Sequence, residues 1–136
     1  MKVKVKVPAT SANLGPGFDV AGLALTLYNT FTFELNEGGL NITGCPTQFC
    51  NEENLTYRAF SQAAQSCGLD FKGVNIHCES QVPYTRGLGS SSTCIVAGIV
   101  GAFDFKDKQM LVKKFLNLLQ RLKDIQTTWH RLSLVD

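Results

Sequence analysis

The first residues of the chain alternate between charged and apolar side chains. From Lys2 to Val7, lysine and valine residues alternate. Because successive side chains of a strand point to opposite faces, this period of two predicts a β-strand with one buried face. Pro8 is expected to end the strand, since proline cannot donate a hydrogen bond to a neighbouring strand. The stretch from Ala9 to Gly22 is rich in glycine and small polar residues and is predicted to be a loop.

Two aromatic and β-branched runs follow, at residues 28–35 and 40–44, with a glycine-containing turn between them. This arrangement predicts two strands joined as a hairpin. After residue 53 the period changes, because apolar residues recur at spacings of three and four between 54 and 67. That spacing predicts a helix, which Asn51 or Asn54 would cap and Gly68 would terminate.

A further alternating run at 72–79 predicts a strand, and an apolar run predicts a helix from about residue 91 to 102. Strands and helices mixed in this order indicate an α+β fold with a mostly antiparallel sheet and helices packed on it.

Composition changes abruptly near residue 102. Residues 1–102 carry six lysines and arginines against seven acidic residues, whereas residues 103–136 carry seven against four. All 12 glycines and all four prolines lie in the first part. Such a break predicts a domain boundary, with a globular domain at 1–102 and a divergent helical or irregular tail at 103–136.

The overall composition excludes several classes of protein. A hydrophobic content of 44% and a charged content of 18% are typical of a folded globular chain. No apolar run is long enough to span a membrane, and the first residues lack the apolar region of a secretory signal, so a cytoplasmic location is expected. The five cysteines do not have the paired spacing of a zinc site and are expected to be reduced and mostly buried.

The most informative stretch runs from Pro83 to Thr93, where two glycines flank a leucine and three serines precede an apolar run. Glycines allow backbone N–H groups to approach a ligand, and the start of a helix attracts anions, so this pattern is suited to binding phosphate. It lacks the lysine of a Walker-type loop and the third glycine of a dinucleotide loop. The alternative is a simple glycine turn before a serine-capped helix.

Two motifs resemble those of the small-molecule kinase family that includes galactokinase, homoserine kinase, mevalonate kinase and phosphomevalonate kinase. One is Pro-x-x-x-Gly-Leu-Gly-Ser-Ser-Ser, beginning at Pro83. The other runs from Val7 to Asp19 and is similar to the amino-terminal signature of the homoserine kinases in particular. The resemblance covers roughly residues 1–102 and implies a fold like that of ribosomal protein S5 domain 2.

The resemblance also implies a function and a set of site residues. It implies transfer of a phosphoryl group from ATP, with Mg²⁺, to L-homoserine in threonine biosynthesis. Asn13 and Asp19 would hold the amino group and the carboxylate end of homoserine, and Ser90 or Ser91 would lie near Mg²⁺. No catalytic residue is assigned. The implied ATP-binding residues are Pro83, Tyr84, Thr85, Arg86, Gly87, Leu88, Gly89, Ser90, Ser91, Ser92 and Thr93.

Several alternatives stay open at this point. Asn13 and Asp19 could stabilise their own turn, as these residue types often do. The chain could be a non-catalytic nucleotide-binding remnant, or a kinase of another small alcohol. A homodimer is also compatible with the resemblance. A nucleic-acid-binding module would need more positive charge than the tail carries, and neither nucleic acid nor a membrane is an expected partner.

The tail departs from the family, whose members have a second domain and a Glu-Gly-His-Pro-Asp-Asn stretch that helps to bind metal and substrate. Nothing in residues 103–136 matches that stretch. One choice of synonymous codons for Leu122 to Asp136, read one base earlier, spells Ile-Glu-Gly-His-Pro-Asp-Asn-Val-Ala-Pro-Ser-Leu-Phe-Gly-Gly. Trp129 has a single codon and still fits. These observations favour the hypothesis of a frameshifted and truncated chain, and a different carboxy-terminal helix is the alternative.

The frameshift hypothesis makes a prediction about the gene. We expect the codons for Leu122 to Asp136, read in the earlier frame, to spell the Glu-Gly-His-Pro-Asp-Asn stretch. Sequencing the gene checks this. The hypothesis fails if codons in that region encode no such stretch in another frame.

Overall fold

A computed structural model describes residues 2–12, 22–83 and 87–106 of the chain. Four strands, two helices and a short 3-10 turn make up this part. Their bounds are β1 Lys2–Ala12, β2 Gly22–Asn36, β3 Leu40–Thr43, the 3-10 turn Thr47–Phe49, α1 Leu55–Cys67, β4 Gly73–Ser80 and α2 Ser90–Lys106.

The four strands form one sheet in the order β1-β2-β4-β3. β1 and β4 both pair antiparallel with β2, and β3 pairs parallel with β4. The connection from β3 through α1 to β4 is therefore a crossover, as a parallel pair requires. The predicted α+β class with a mostly antiparallel sheet is confirmed.

The predicted hairpin between the second and third strands is wrong, because β4 lies between them. Asn36 donates a hydrogen bond to Asn75 of β4 at 2.7 Å, and the Val74 N–H donates to the Gly39 carbonyl at 3.0 Å. A side chain at Gly73 would collide with the backbone of Gly39. The missing side chain therefore lets β4 enter the sheet beside the end of β2, where the third strand was expected.

The first strand is longer than predicted, and Pro8 lies within it. Its pairing with β2 shifts register between Pro8 and Thr10, so that Pro8 faces Tyr28 while Thr10 faces Ala24. A bulge of this kind accommodates the missing N–H of proline in a strand at the edge of the described sheet. Residues 9–12 and 22, expected to belong to a loop, are therefore strand residues, and residues 13–21 lie outside the described part.

Helix α1 begins and ends as its sequence predicts. The Asn54 side chain accepts hydrogen bonds from the N–H groups of Thr56 and Tyr57, and Gly68 takes the left-handed conformation at the end, with φ 69°. Of the two candidate caps, Asn54 is the one used. A cap of this kind contributes about 1 kcal/mol to helix stability.

The core lies between one face of the sheet and the two helices. Phe33 of β2 and Phe60 of α1 stack with ring centroids 5.3 Å apart. α2 approaches α1 closely at Gly98, where an added Cβ would lie 2.8 Å from the Phe60 nitrogen. Gly101 packs against the Phe33 ring in the same way. Two glycines on one helix thus bring its backbone against both α1 and the sheet.

α2 continues to Lys106, four residues beyond the predicted end at 102, and the Lys106 ammonium donates to the Gly68 carbonyl at 2.7 Å. The first compact unit of the chain is Met1–Lys106. The division into 1–102 and 103–136 stays a prediction, since residues 107–136 lie outside the described part. No helix among the described residues is long and apolar enough to cross a membrane.

Candidate functional site

The loop between β4 and α2 forms the candidate site. β4 ends at Ser80, and α2 begins at Ser90. The structure describes Pro83 and the stretch from Gly87 to Thr93, so most of the predicted phosphate loop can be placed. Tyr84, Thr85 and Arg86 lie outside the described residues, as do Asn13 and Asp19. Their predicted roles stay predictions.

Both glycines of the loop take a backbone conformation that other residues rarely adopt. Gly87 has φ 67° and Gly89 has φ 69°. At Gly89 there is also no room for a side chain, because an added Cβ would lie 2.5 Å from the Thr10 hydroxyl oxygen and 3.2 Å from the Thr10 carbonyl oxygen. At Gly87 an added Cβ would meet nothing within 4 Å. At position 89 both the backbone conformation and the lack of space require glycine. At position 87 only the backbone conformation favours it.

The same loop is hydrogen-bonded to the end of the first strand. The Thr10 N–H donates to the Leu88 carbonyl at 3.1 Å. β1 continues two residues further, to Ala12, and the segment that contains Asn13 follows directly. The strand that leads into the predicted acceptor segment is thus fastened to the predicted phosphate loop.

Helix α2 presents its amino terminus to this loop. The first intrahelical bond runs from the Thr93 N–H to the Gly89 carbonyl at 2.9 Å. Gly89 is therefore the N-cap, and Ser90, Ser91 and Ser92 occupy the first turn, whose N–H groups have no carbonyl partner within the helix. Ser91 and Ser92 are exposed and Ser90 is half-buried. The expected serine cap is replaced by glycine, which leaves the first-turn serines at the helix start.

A buried asparagine fixes the position of the loop through hydrogen bonds made in the core. Asn29 is 2% exposed, and its Oδ1 accepts hydrogen bonds from the N–H groups of Gln81 and Val82 at 3.0 and 2.9 Å and from the Ser80 hydroxyl at 3.0 Å. Its Nδ2 donates to the Thr93 hydroxyl at 2.9 Å. One side chain therefore joins β2, the chain that leaves β4, and the first turn of α2.

Asn29 was not among the site residues predicted from the sequence. The signal was its position, because Asn29, Phe31 and Phe33 alternate along β2 and are all buried. A polar residue at an inward-facing position of a strand must find hydrogen-bond partners, since leaving it unpaired in the core costs about 1–3 kcal/mol. Such a residue is therefore a strong marker of a structural junction.

The fit of Mg²⁺ to this part of the chain is partial. The hydroxyls of Ser90 and Ser91 are oxygen ligands of the kind that Mg²⁺ accepts. Within the described ranges, no group of three or more histidine, cysteine or acidic side chains could hold a metal ion.

Comparison with known proteins agrees with the resemblance carried by the two motifs. Residues 54–129 match the family model described as the GHMP kinases N terminal domain. This stretch contains the whole loop from Pro83 to Thr93, and it continues past residue 102, where the resemblance was expected to end.

Several curated relatives are homoserine kinases. The chain is 48% identical over 117 residues to the homoserine kinase of Clostridium beijerinckii, a match that covers 85% of this chain and 39% of that protein. It is 52% identical over 101 residues to the homoserine kinase of Clostridium botulinum strain Eklund 17B, covering 74% and 34%. The chain thus spans less than two fifths of the length of these relatives.

Solved structures share the fold. The homoserine kinase of Cytophaga hutchinsonii matches with a TM-score of 0.71 and 29% identity, over 86% of this chain and 39% of that one. The mevalonate kinase of Methanococcus jannaschii matches with a TM-score of 0.67 and 16% identity, over 87% and 44%. The second likeness concerns the fold alone.

The Asn29 junction yields a prediction about stability. We expect Asn29→Ala to lower the free energy of unfolding by about 2–3 kcal/mol, because it removes the acceptor for the N–H groups of Gln81 and Val82 and the donor to Thr93. Urea denaturation followed by circular dichroism measures the change. Asn41→Ala, at an exposed position of β3, is the matched control and should change it by less than about 0.5 kcal/mol. Equal effects of the two substitutions would contradict the role given to Asn29.

Proposed function

The chain belongs to the GHMP kinase family, and we propose that it forms the nucleotide-binding amino-terminal part of a homoserine kinase. The proposed reaction transfers the γ-phosphoryl group of ATP to the hydroxyl of L-homoserine, a step of threonine biosynthesis. The proposal is supported by the 48–52% identity of this chain to homoserine kinases over most of its length. A cytoplasmic location accords with this proposal.

One observation carries the proposal, namely the hydrogen bond from the Thr10 N–H to the Leu88 carbonyl. A phosphoryl transferase has to bring donor and acceptor together, since most of its catalytic effect comes from positioning and charge stabilisation. The bond fastens the strand before Asn13 to the loop before Ser90. A nucleotide held by that loop would therefore lie close to the start of the proposed acceptor segment.

The proposed phosphate site consists of the loop and the first turn of α2. The N–H groups of Ser90, Ser91 and Ser92 would donate to phosphate oxygens, and the helix dipole would add favourable electrostatic energy of about 1 kcal/mol or less. Gly89 allows the backbone to come close because it has no side chain. The hydroxyls of Ser90 and Ser91 would hold Mg²⁺, which supplies charge neutralisation between the phosphates when bound.

The proposed acceptor site uses Asn13 and Asp19. A carboxylate pairs with the ammonium group of an amino acid, and a carboxamide offers both a donor and an acceptor. Asp19 would therefore fix the amino group of homoserine, and Asn13 its carboxylate end. Together they would orient the hydroxyl towards the nucleotide without acting as a base.

A second candidate function is nucleotide binding without phosphoryl transfer. What supports it is that the glycine loop and the first turn of α2 would hold a nucleotide whether or not an acceptor is bound. ATP binding with no ADP release on addition of homoserine and Mg²⁺ would distinguish it from the first. Release of ADP with a different small alcohol would indicate another acceptor.

The two loop glycines allow a matched test of nucleotide binding. We expect Gly89→Ala to weaken the binding of ATP by tenfold or more, because its Cβ would collide with Thr10 and displace the loop from β1. Gly87→Ala introduces a similar backbone strain without a collision, so it should have a much smaller effect. Isothermal titration calorimetry with ATP and Mg²⁺ measures both. Unchanged affinity in the folded Gly89→Ala variant would contradict the proposed cradle.

The acceptor site is tested through the binding of homoserine. We expect Asp19→Asn to weaken homoserine binding by roughly tenfold or more while the affinity for ATP stays the same, because the substitution removes one charged partner of the ammonium group. Asp70→Asn, at an exposed position after α1, is the control. If the parent chain binds ATP but not homoserine, the second candidate function is favoured. If Asp19→Asn reduces ATP binding instead, the assignment of Asp19 is wrong.

A further inference from the structure

Two cysteines lie in direct contact, away from the loop described above. Cys45 follows β3, and Cys50 follows the 3-10 turn Thr47–Phe49. Their sulfur atoms are 3.4 Å apart, and both side chains are half-buried. Nothing in the proposed kinase function uses this pair.

The backbone between the two cysteines is a closed turn that holds the sulfurs together. The Phe49 N–H donates to the Pro46 carbonyl at 2.8 Å, and the Cys50 N–H donates to the Thr47 carbonyl at 3.1 Å. The Cys50 thiol also lies 3.7 Å from the Cys45 carbonyl oxygen. The Cys50 side chain is thus folded back over the start of its own turn.

The far end of the turn is anchored as well. The Asn54 side chain, which caps α1, donates to the Phe49 carbonyl at 2.8 Å. Asn51 donates to the Gln48 carbonyl at 2.9 Å. Because α1 fixes one side of the turn and β3 the other, the contact between the sulfurs belongs to the folded chain rather than to a free loop.

We propose that Cys45 and Cys50 form a redox site that closes into an intrachain disulfide by exchange with a low-molecular-weight disulfide. A disulfide bond is about 2.05 Å long, so the sulfurs have to approach by roughly 1.4 Å, which small side-chain rotations supply. This site is independent of the proposed kinase function.

The exchange proceeds in two balanced steps. The Cys50 thiolate attacks one sulfur of the small disulfide, which forms a mixed disulfide and releases one small thiol. The Cys45 thiol then loses its proton, and its sulfur attacks the Cys50 sulfur, releasing the second small thiol. Two protein thiols are oxidised and one small disulfide is reduced to two thiols. Excess small thiol reverses both steps.

The order of the steps follows from the environment of Cys45. Burial, with hydrogen bonding and charge repulsion from Cys50, raises the pKa of the Cys45 thiol from 9.0 to about 11. A thiol with so high a pKa is a poor first nucleophile near neutral pH, because attack requires the thiolate. Cys45 is therefore assigned the resolving role, in which the short distance of 3.4 Å between the two sulfurs compensates for its small thiolate fraction.

Two other cysteines lie close enough to influence this pair but are poorly suited to exchange. Burial, together with repulsion from Cys45, raises the pKa of the Cys78 thiol to about 12, and burial also raises that of Cys94. Cys78 is buried in β4. Among the residues that the structure describes, no group of three or more histidine, cysteine or acidic side chains could hold a metal ion.

The test uses the full chain and oxidised glutathione as the small disulfide. After incubation, free thiols are alkylated and the digested protein is analysed by mass spectrometry. We expect the peptides with Cys45 and Cys50 to lose roughly 2 Da through a bridge and to escape alkylation, and dithiothreitol to restore both thiols. Cys67→Ser, on a half-buried cysteine at the end of α1, is the control and should bridge as the parent does.

Substitution of either partner separates the two roles. Cys45→Ser should accumulate a glutathione adduct on Cys50, whereas Cys50→Ser should form adducts at least tenfold more slowly at pH 7.5. In Cys50→Ser, alkylation of Cys45 should become faster as the pH rises from 7 to 10, because burial still raises the pKa of its thiol in that variant. Adducts without a bridge in the parent, bridges to another cysteine, or equal alkylation before and after oxidation would each overturn the proposal.

Discussion

The described part of the chain depends on the hydrogen bonds of one buried carboxamide. Asn29 is almost fully shielded from solvent, and its two polar atoms are satisfied by groups from two separate parts of the chain, residues 80–82 and Thr93. An unpaired amide in a core is costly, so the arrangement is stable only when β2, the end of β4 and the first turn of α2 are all in place. The position of the proposed phosphate loop is therefore fixed from inside the core as well as by the hydrogen bond between Thr10 and Leu88.

The glycines of α2 and of the loop perform complementary tasks. Gly98 and Gly101 remove side chains where the helix meets Phe60 and Phe33, so the helix backbone sits deep against α1 and the sheet. Gly89 removes a side chain where the loop meets Thr10. The start of α2 is therefore held in two ways. The helix packs against α1 and the sheet, and the loop before it is hydrogen-bonded to β1 through Thr10 and Leu88. A rigid helix terminus is well suited to anion binding, because its N–H groups need no reorganisation when the ligand arrives.

The comparisons with known proteins separate fold from function. The mevalonate kinase from Methanococcus jannaschii shares the fold at 16% identity, whereas the Clostridium homoserine kinases share about half of the aligned residues. The fold is therefore shared with proteins that have little sequence identity to this chain. Asn13 and Asp19 are the residues proposed to bind the acceptor.

Local patterns were enough to predict much of this chain. The valine alternation of β1, the spacing of α1 with its Asn54 cap, and the glycine–serine loop all depend on neighbouring residues and are readable from the sequence. Three features depended on contacts between distant residues: the insertion of β4 between β2 and β3, the continuation of β1 through Pro8, and the partners of Asn29. Strand order and buried hydrogen bonds depend on which surfaces pack against one another and are removed from water. Those surfaces come from distant parts of the chain, so only the tertiary structure determines them.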